Sequence, residues 1–154
     1  MIWENVPGKE KNFMSGNVFF DTNILVYAYD THDLLKQKIA KDLLMSNIRN
    51  GRGYVSLQVF GEFFNVVTKR IPKPLSSEMA RSAINHMSIF NIIEADLELV
   101  HRAIDTHQKY KITYWDSLII AAAERANCST LLSEDLNTHQ FYHGIKADNP
   151  FLHH

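Results

Sequence analysis

The sequence predicts an α/β fold in which a short, mainly parallel β-sheet is flanked by helices. Four short segments, at Asn17–Phe20, Gly53–Ser56, Asn91–Ile93 and Ser129–Leu132, have the length of strands, and the first is expected to be buried. Stretches with helical spacing separate these segments, and no hairpin signal precedes the C-terminal stretch, so consecutive strands are expected to run parallel. At 154 residues, 45% of them hydrophobic, the chain is long enough for one domain with a real core.

The helices are predicted from their apolar spacing and from residues suited to their ends. A first helix follows the first strand, with Asp21 or Asn23 as its N-cap. The helix from about Leu57 to Arg70 is apolar on most of its circumference, so we expect it to be largely buried. Phe141 to Ala147 is predicted to add an edge strand. The other predicted helices run from Asp33 to Asn50, from Ser76 to about Phe90, from Asp96 to about Tyr110 and from Thr113 to about Asn127.

Charge and cysteine content exclude several classes of protein. Lys and Arg total 16 against 17 for Asp and Glu, a formal charge of -1, so any nucleic-acid contact must come from a local patch. The single cysteine, Cys128, excludes an internal disulfide framework and is expected to be a small buried hydrophobe. No apolar run approaches membrane-spanning length, so we expect a cytoplasmic protein without membrane contact. We expect residues 1–16 to be an extension, disordered or not native, and residues 17–151 to form the domain.

Four acidic residues lie inside strongly apolar sequence: Asp21, Glu62, Asp116 and Asp135. Asp21 and Asp135 each follow a predicted strand, and the carboxyl ends of parallel strands share one edge of a sheet. Asp116 opens the most apolar helix and Glu62 lies one turn into another, so all four can converge at that edge. Because clustered carboxylates are costly to desolvate without a cation, this pattern predicts a Mg²⁺ or Mn²⁺ site of hard oxygen donors.

Each acid also has an ordinary structural interpretation. Asp116 is the last member of a capping box begun by Thr113, and Asp21 and Asp135 are typical turn or N-cap residues after strands. Glu62 caps nothing, and a Glu on a buried helix is rare without a partner. The four acids together therefore favour the metal site over the separate interpretations.

Two further groups lie near the acids in the sequence. A set of aromatic residues has the composition of a base-stacking surface: Phe63, Phe64, Tyr114 and Trp115. Their helical spacing instead predicts that they are core residues. A compact basic group follows the helix that carries Glu62, and it suits either phosphate contact or a solvated helix end: Lys69, Arg70 and Lys73. The eight histidines form no metal-ligand motif, and only His139 and His143 are expected near the acidic edge.

Several motifs occur in order along the chain. They are Asp21-Thr22-Asn23 at the end of the first strand, Glu62 in mid-chain, Tyr114-Trp115-Asp116-Ser117-Leu118-Ile119 at a helix start, Leu132-Ser133-Glu134-Asp135-Leu136 after the fourth strand, and a tail ending in Asn149-Pro150-Phe151. With these motifs the chain resembles, from Asn17 to Phe151, the PIN-domain nucleases. It is most similar to the toxin nucleases of bacterial and archaeal VapBC-type toxin–antitoxin pairs.

The resemblance implies a PIN-like three-layer fold and a Mg²⁺-dependent endoribonuclease, with Mn²⁺ as a substitute ion. It further implies an RNA substrate such as tRNA or rRNA, a homodimer and silencing by a small antitoxin. The acidic positions of the family fall on Asp21, Glu62, Asp116 and Asp135, and we assign Asp21 and Asp116 as the primary metal ligands. Its polar supporting positions fall on Thr22, Asn23 and Ser133. His139 replaces a glycine that is common in the family after the last acid, a departure that bears on the shape of that loop.

Two other functions compete with this one. A haloacid dehalogenase-type phosphatase has similar segments around Asp21 and Asp135, but its chemistry needs an acid where Asn23 stands. A PIN-like module that binds RNA or a partner without cleavage would also keep the acidic residues. The helices at about Asn23 to Asn50 and Ser76 to Phe90 carry apolar faces. These faces suit either core packing or contact with a second subunit or an antitoxin peptide.

Overall fold

The computed structural model describes residues 16–152, which form six helices and six strands. The strands are β1 (Asn17–Phe20), β2 (Gly53–Ser56), β3 (Asn91–Ile93), β4 (Cys128–Leu132), β5 (Phe141–Tyr142) and β6 (Ile145–Asp148). The helices are α1 (Thr22–Tyr29), α2 (Leu34–Asn50), α3 (Leu57–Lys69), α4 (Ser77–Met87), α5 (Leu97–Tyr110) and α6 (Tyr114–Arg125). The four strands and six helices predicted in the main part of the chain are confirmed, with small shifts at their ends.

The strands form one sheet in the order β3-β2-β1-β4-β6-β5. Every neighbouring pair is parallel except β5 and β6, which are antiparallel. One helical group contains α1 to α4, in which α1 packs on α2 and α3, and the other pairs α5 with α6. The predicted three-layer α/β fold with a mainly parallel sheet is therefore confirmed.

Side chains at the helix starts explain why the helix boundaries were predictable. All six helices have a Ser, Thr or Asp N-cap whose side chain accepts a hydrogen bond from a backbone N–H of the first turn: Asp21, Asp33, Ser56, Ser76, Asp96 and Thr113. Gly51 ends α2 in the left-handed conformation at φ 70°. These are local signals, readable from short stretches of sequence.

The central strands are the most buried part of the chain. Phe19, Phe20, Leu131 and Leu132, on the adjacent strands β1 and β4, are all fully buried. Near-continuous apolar runs are expected of parallel strands covered on both faces. Cys128 is buried, as predicted, and burial raises the pKa of its thiol to about 12. The thiol therefore behaves as a small apolar side chain.

The C-terminal stretch differs from the prediction. Phe141 to Ala147 does not add one edge strand; it forms the hairpin of β5 and β6, and β6 lies inside the sheet next to β4. The turn consists of His143 and Gly144, whose φ angles are 50° and 80°. Two successive positive φ values are the mark of a type I′ hairpin turn. The prediction of an added edge strand is confirmed for β5, but the turn and the second strand were missed because a histidine at the first turn position is a weak hairpin signal.

The helix α3 also departs from its prediction, because it is not largely buried. Val59, Phe63 and Val67 face the core, whereas Leu57 is 51% exposed and Phe64 is 38% exposed. The helix α3 therefore carries more apolar side chains than the core covers. Its exposed apolar side is available for contacts outside the domain.

Two predictions concern the chain as a whole. The extension predicted over residues 1–16 lies, apart from Gly16, outside the described residues. In the described part of the chain, no helix combines the length and the hydrophobicity that a membrane crossing requires.

We predict that Gly53→Ala destabilises the protein by about 1–3 kcal/mol, because the new methyl group overpacks the core. A Cβ at this position of β2 would lie 2.5 Å from Cδ1 and Cε1 of the Phe90 ring. Urea unfolding followed by circular dichroism measures the change. The matched control is Gly61→Ala on α3, where an added Cβ meets no atom within 4 Å and helix propensity predicts a gain of about 0.5–1 kcal/mol. Equal stability of the two variants would contradict the packing argument.

Candidate active site at the carboxyl edge of the sheet

The acidic edge predicted from the sequence exists in the fold. Asp21 follows β1 and Asp135 lies three residues beyond β4, and these strands are parallel neighbours with Phe20 opposite Leu132. The backbone N–H of Asp21 continues the ladder by donating to the Leu132 carbonyl at 3.0 Å. The register of the two central strands therefore places both acids at the same edge. We refer to this edge as the acidic rim.

Asp21 is the most constrained of the acids, with only 5% of its surface exposed. Its Oδ1 accepts from the Thr22 backbone N–H at 2.7 Å, and its Oδ2 accepts from the Ser133 hydroxyl at 2.7 Å. Burial raises the pKa of Asp21 to about 7, the two hydrogen bonds oppose the shift, and the charges of Asp135 and Glu62 add to it. Near neutral pH this carboxyl is therefore only partly ionised.

Glu62 has hydrogen-bond donors on both carboxylate oxygens. The Thr22 hydroxyl donates to Oε2 at 2.6 Å, and the Gln58 side-chain amide donates to Oε1 at 2.9 Å. Glu62 is half-buried, so the expectation that it needs a partner is confirmed although the helix around it is partly exposed. The two donors come from α1 and α3, and together they fix the orientation of the carboxylate.

Asp135 is exposed and is held by the loop that follows β4. The Asn23 amide donates to its Oδ2 at 3.1 Å, and its backbone N–H donates to the Ser133 hydroxyl at 3.1 Å. Asn23 Oδ1 also accepts from the Glu134 backbone N–H at 3.2 Å. Ser133 thus bonds to both Asp21 and Asp135, while Asn23 ties the loop to the first turn of α1.

Asp116 reaches the same electrostatic neighbourhood from α6. Its backbone N–H donates to the Thr113 hydroxyl at 3.1 Å, which confirms the predicted cap. Burial raises the pKa of the Asp116 carboxyl, the Thr113 hydrogen bond opposes the shift, and the charges of Asp135 and Glu62 raise it further. The capping role and the acidic-rim role are therefore compatible in one residue.

The burial of the four acids is uneven. Asp21 is buried, Glu62 and Asp116 are half-buried and Asp135 is exposed, so apolar flanking sequence did not imply burial in every case. Among residues 16–152, no group of three acidic, histidine or cysteine side chains stands in a metal-binding arrangement. Hydrogen bonds through Thr22 and Ser133 link Asp21 to Glu62 and Asp135, whereas Asp116 is coupled to Glu62 and Asp135 through charge.

Sequence reasoning missed two residues that support the rim. Gln58 holds Glu62 from one helical turn earlier, and an i, i+4 polar pair on α3 was the available signal. Lys36 of α2 pairs with Glu134 at 2.8 Å and donates to the Tyr27 hydroxyl at 3.1 Å. Lys36 and Glu134 are 98 residues apart, so no local pattern predicts the contact. The pair ties the loop after β4 to α2.

His139 keeps the backbone shape that a glycine would favour. Its φ of 68° lies in the left-handed region, and its N–H donates to the Ala147 carbonyl at 2.7 Å. The replacement therefore preserves the turn while adding a side chain, which lies 4.0 Å from the buried Asp148 carboxylate. His143 was expected near the rim, but it sits in the β5–β6 turn, at the opposite end of β6.

Two of the aromatic residues predicted to be core are exposed. Phe63 is fully buried and Tyr114 is partly buried, but Phe64 is 38% exposed and Trp115 is 63% exposed. Phe64 directly follows the buried Phe63 in the middle of α3, and Trp115 follows Tyr114 in the first turn of α6. Consecutive residues of a helix face different sides, so neither pair could lie wholly in the core. The basic group is exposed at the C-terminal end of α3, away from the rim where that helix begins, which favours the solvated helix end: Lys69, Arg70 and Lys73.

Comparison of the chain with protein families identifies the class of protein to which this fold and acidic rim belong. The profile of the PIN domain family matches residues 18–143, more than half of the chain, and the chain therefore belongs to the PIN domain family. This membership argues against the haloacid dehalogenase-type alternative. None of the curated proteins compared with this chain matches it.

Solved structures share the fold over most of their length. A toxin–antitoxin complex from Klebsiella pneumoniae has a TM-score of 0.67 at 21% identity, covering 88% of this chain and 98% of that chain. VapC20 of Mycobacterium tuberculosis, a sarcin-ricin loop cleaving toxin, has a TM-score of 0.61 at 16% identity, covering 75% and 87%. VapBC2 from Rickettsia felis, bound to a promoter DNA fragment, has a TM-score of 0.63 at 21% identity, covering 86% and 97%. The predicted resemblance to VapBC-type PIN proteins is confirmed.

We predict that Asp21→Asn stabilises the metal-free protein at high pH. The pKa of Asp21 is about 7 in the fold against 3.8 ordinarily, so folded Asp21 retains its proton over a range in which the unfolded chain has lost it. The stability that protonated Asp21 contributes to the wild type is therefore fully present below about pH 4, and it is lost as the pH rises towards about 7. With the charge removed, the variant should gain on the order of a few kcal/mol at pH 8 and much less at pH 5.

Thermal unfolding in EDTA at both pH values measures this difference. Asp42→Asn, in an exposed pair with Lys38 on α2, is the matched control and should show no gain that grows with pH. Adding Mg²⁺ should raise the melting temperature of the wild type more than that of Asp21→Asn. A variant that is less stable than the wild type at pH 8 would contradict the assigned burial cost.

Proposed function

We propose that this protein is a Mg²⁺-dependent endoribonuclease and the toxin of a toxin–antitoxin pair, with the nuclease domain spanning residues 17–151. The observation that carries the proposal is the acidic rim, where Asp21 and Asp135 follow two adjacent parallel strands and where burial, with the charges of Asp135 and Glu62 added to it, raises the pKa of both Asp21 and Asp116. Coupled carboxylates of this kind are poorly stable alone and are stabilised by a divalent cation.

The donor chemistry of the rim fits Mg²⁺ or Mn²⁺. Every side chain that the four acids contribute is a hard oxygen donor, and none of them is paired with a Lys or Arg in the contacts that fix the rim. Asp21 and Asp116 would hold the ion, and Glu62 and Asp135 would complete the site directly or through water. When bound, the ion would supply positive charge for the phosphate and help to activate water for hydrolysis of the phosphodiester bond.

The remaining polar residues orient these carboxylates. Thr22 fixes Asp21 through its backbone and Glu62 through its hydroxyl, so one residue sets the relation between two acids. The Ser133 hydroxyl likewise contacts both the Asp21 carboxylate and the backbone N–H of Asp135, and the Asn23 amide donates to the Asp135 carboxylate. Such supporting contacts determine where the acidic oxygens stand before an ion or substrate arrives.

The partners follow from the relatives and from exposed apolar surface. The related structures are toxin–antitoxin complexes, and one relative is a toxin that cleaves the sarcin-ricin loop, which supports an RNA substrate such as rRNA or tRNA. Exposed apolar side chains on α2 and α4 supply surface for an antitoxin and a second subunit: Leu34, Leu35, Met45 and Met79. We propose a cytoplasmic homodimer that is silenced by its antitoxin.

We predict that Asp116→Asn reduces Mg²⁺-dependent RNA cleavage by at least roughly 100-fold, because it removes a metal ligand. The fold should persist, with unchanged or greater stability in EDTA, since a like charge leaves the rim. The assay is cleavage of labelled RNA with Mg²⁺ and with EDTA, accompanied by circular dichroism. Asp105→Asn, at an exposed acid on α5, is the control and should cut RNA like the wild type.

Two outcomes would overturn parts of this proposal. Undiminished cleavage by Asp116→Asn would remove that residue from the metal site. A wild-type protein that gains thermal stability with Mn²⁺ and binds RNA, yet cuts none, would support the binding module without cleavage.

A further inference from the structure

Trp115 is an exposed aromatic residue directly beside one of the acids. It lies in the first turn of α6, immediately before Asp116, with 63% of its surface exposed. The Tyr114 ring meets it edge-on, with the ring centroids 5.1 Å apart and the planes at 78°. An indole this exposed forgoes most of the burial that normally accounts for a tryptophan. Its placement therefore needs a reason other than core packing.

The backbone of Trp115 is fixed relative to the acidic rim. The Gln58 side-chain amide donates to the Trp115 carbonyl at 3.3 Å and to Glu62 Oε1 at 2.9 Å. One side chain in the first turn of α3 thus joins the start of α6 to the Glu62 carboxylate. With Asp116 next in the chain, Trp115 has covalent or hydrogen-bonded links to two of the four acids.

The surroundings of Trp115 indicate what its ring can bind. In the chain, the exposed Thr113 precedes Trp115 by two residues and the half-buried Asp116 follows it directly, so polar and acidic residues neighbour Trp115 at the start of α6. The core of a protein–protein interface is more apolar and is depleted in charge. A nucleobase instead offers an uncharged π-face that stacks on indole and brings no further negative charge to the acids.

We propose that Trp115 is the stacking platform for a nucleobase next to the scissile phosphate, so that the enzyme engages an unpaired base. The inference rests on the proposed nuclease function, because it takes the acidic rim to be the site of the phosphate. Gln58 is the positioning residue that keeps the platform in register with Glu62. Trp115 acts in recognition of the RNA and does not touch the reacting atoms.

The first experiment reads the stacking directly. The chain has two tryptophans, Trp3 and Trp115, so Trp3→Phe leaves Trp115 as the single indole reporter. We expect its fluorescence to be quenched within the first moments of mixing with a short unpaired RNA, before cleavage. The same strand in a perfect duplex should quench it far less. RNA binding that is visible by fluorescence polarisation but leaves Trp115 emission unchanged would overturn the proposal.

The second experiment separates binding from chemistry. Trp115→Ala should raise KM for an unpaired RNA by roughly 5- to 100-fold, the usual loss for one stacked base, with kcat nearly unchanged. Trp115→Phe should recover most of the affinity because it keeps an aromatic face. Phe141→Ala, which removes a 59% exposed aromatic from β5, is the matched control and should leave both constants unchanged. An unchanged KM for Trp115→Ala would overturn the stacking role.

The outcomes distinguish this inference from the function on which it rests. Quenching by RNA without cleavage by the wild type would support the platform and remove the nuclease assignment. Cleavage without quenching, and with a normal KM for Trp115→Ala, would leave the nuclease and remove the platform. A Trp115→Ala variant that changes oligomeric state in light scattering while its KM for RNA stays normal would assign the surface to a protein contact and overturn the inference.

Discussion

The burial of one carboxylate, Asp21, at the end of the central strand is the constraint on which the rest of the rim depends. The residue sits where β1 passes between β2 and β4, and only 5% of it is exposed. Water cannot solvate the charge there, so the protein supplies an N–H from Thr22 and a hydroxyl from Ser133. These donors reduce the cost of ionisation without removing it, because the pKa of Asp21 stays near 7.

The donors around Asp21 also organise the other acids. The Ser133 hydroxyl also accepts from the backbone N–H of Asp135, and the Thr22 hydroxyl donates to Glu62, so each residue that stabilises Asp21 also contacts a second acidic residue. The first turn of α1 thereby joins α3 to the loop after β4. A change in the ionisation of one acid is felt by the others through both charge and hydrogen bonds. The rim therefore behaves as one unit.

The features that could be predicted from the sequence are mainly those that a few adjacent residues determine. Caps such as Asp96 and Thr113 and the four short strands are encoded in a few adjacent residues, and these predictions were confirmed. The four acids were recognised because their order matches a family pattern and because strand ends in a parallel sheet share an edge. The hairpin turn at His143 and Gly144 was missed because its φ values are not evident from residue type.

The support of the rim was less predictable than the acids themselves. The contact of Lys36 with Glu134 depends on how α2 packs, and the exposure of Trp115 depends on where the core ends. Periodicity gives the face of a helix on which a residue lies, but it does not give the depth at which neighbouring elements cover that face. Such residues become visible only in the assembled fold.

The balance of charge at the rim constrains the RNA binding that we propose. Four acids repel phosphate, the chain has a formal charge of -1, and the compact basic group lies at the far end of α3. Three helices, α1, α3 and α6, begin near the rim, and their N-terminal N–H groups offset only part of the negative charge. In the proposed function, attraction of the phosphate therefore comes mainly from a bound cation, and further affinity comes from uncharged contacts. The exposed indole of Trp115, whose backbone is linked through Gln58 to Glu62 and which directly precedes Asp116, suits this requirement, because stacking adds affinity without adding charge to the rim.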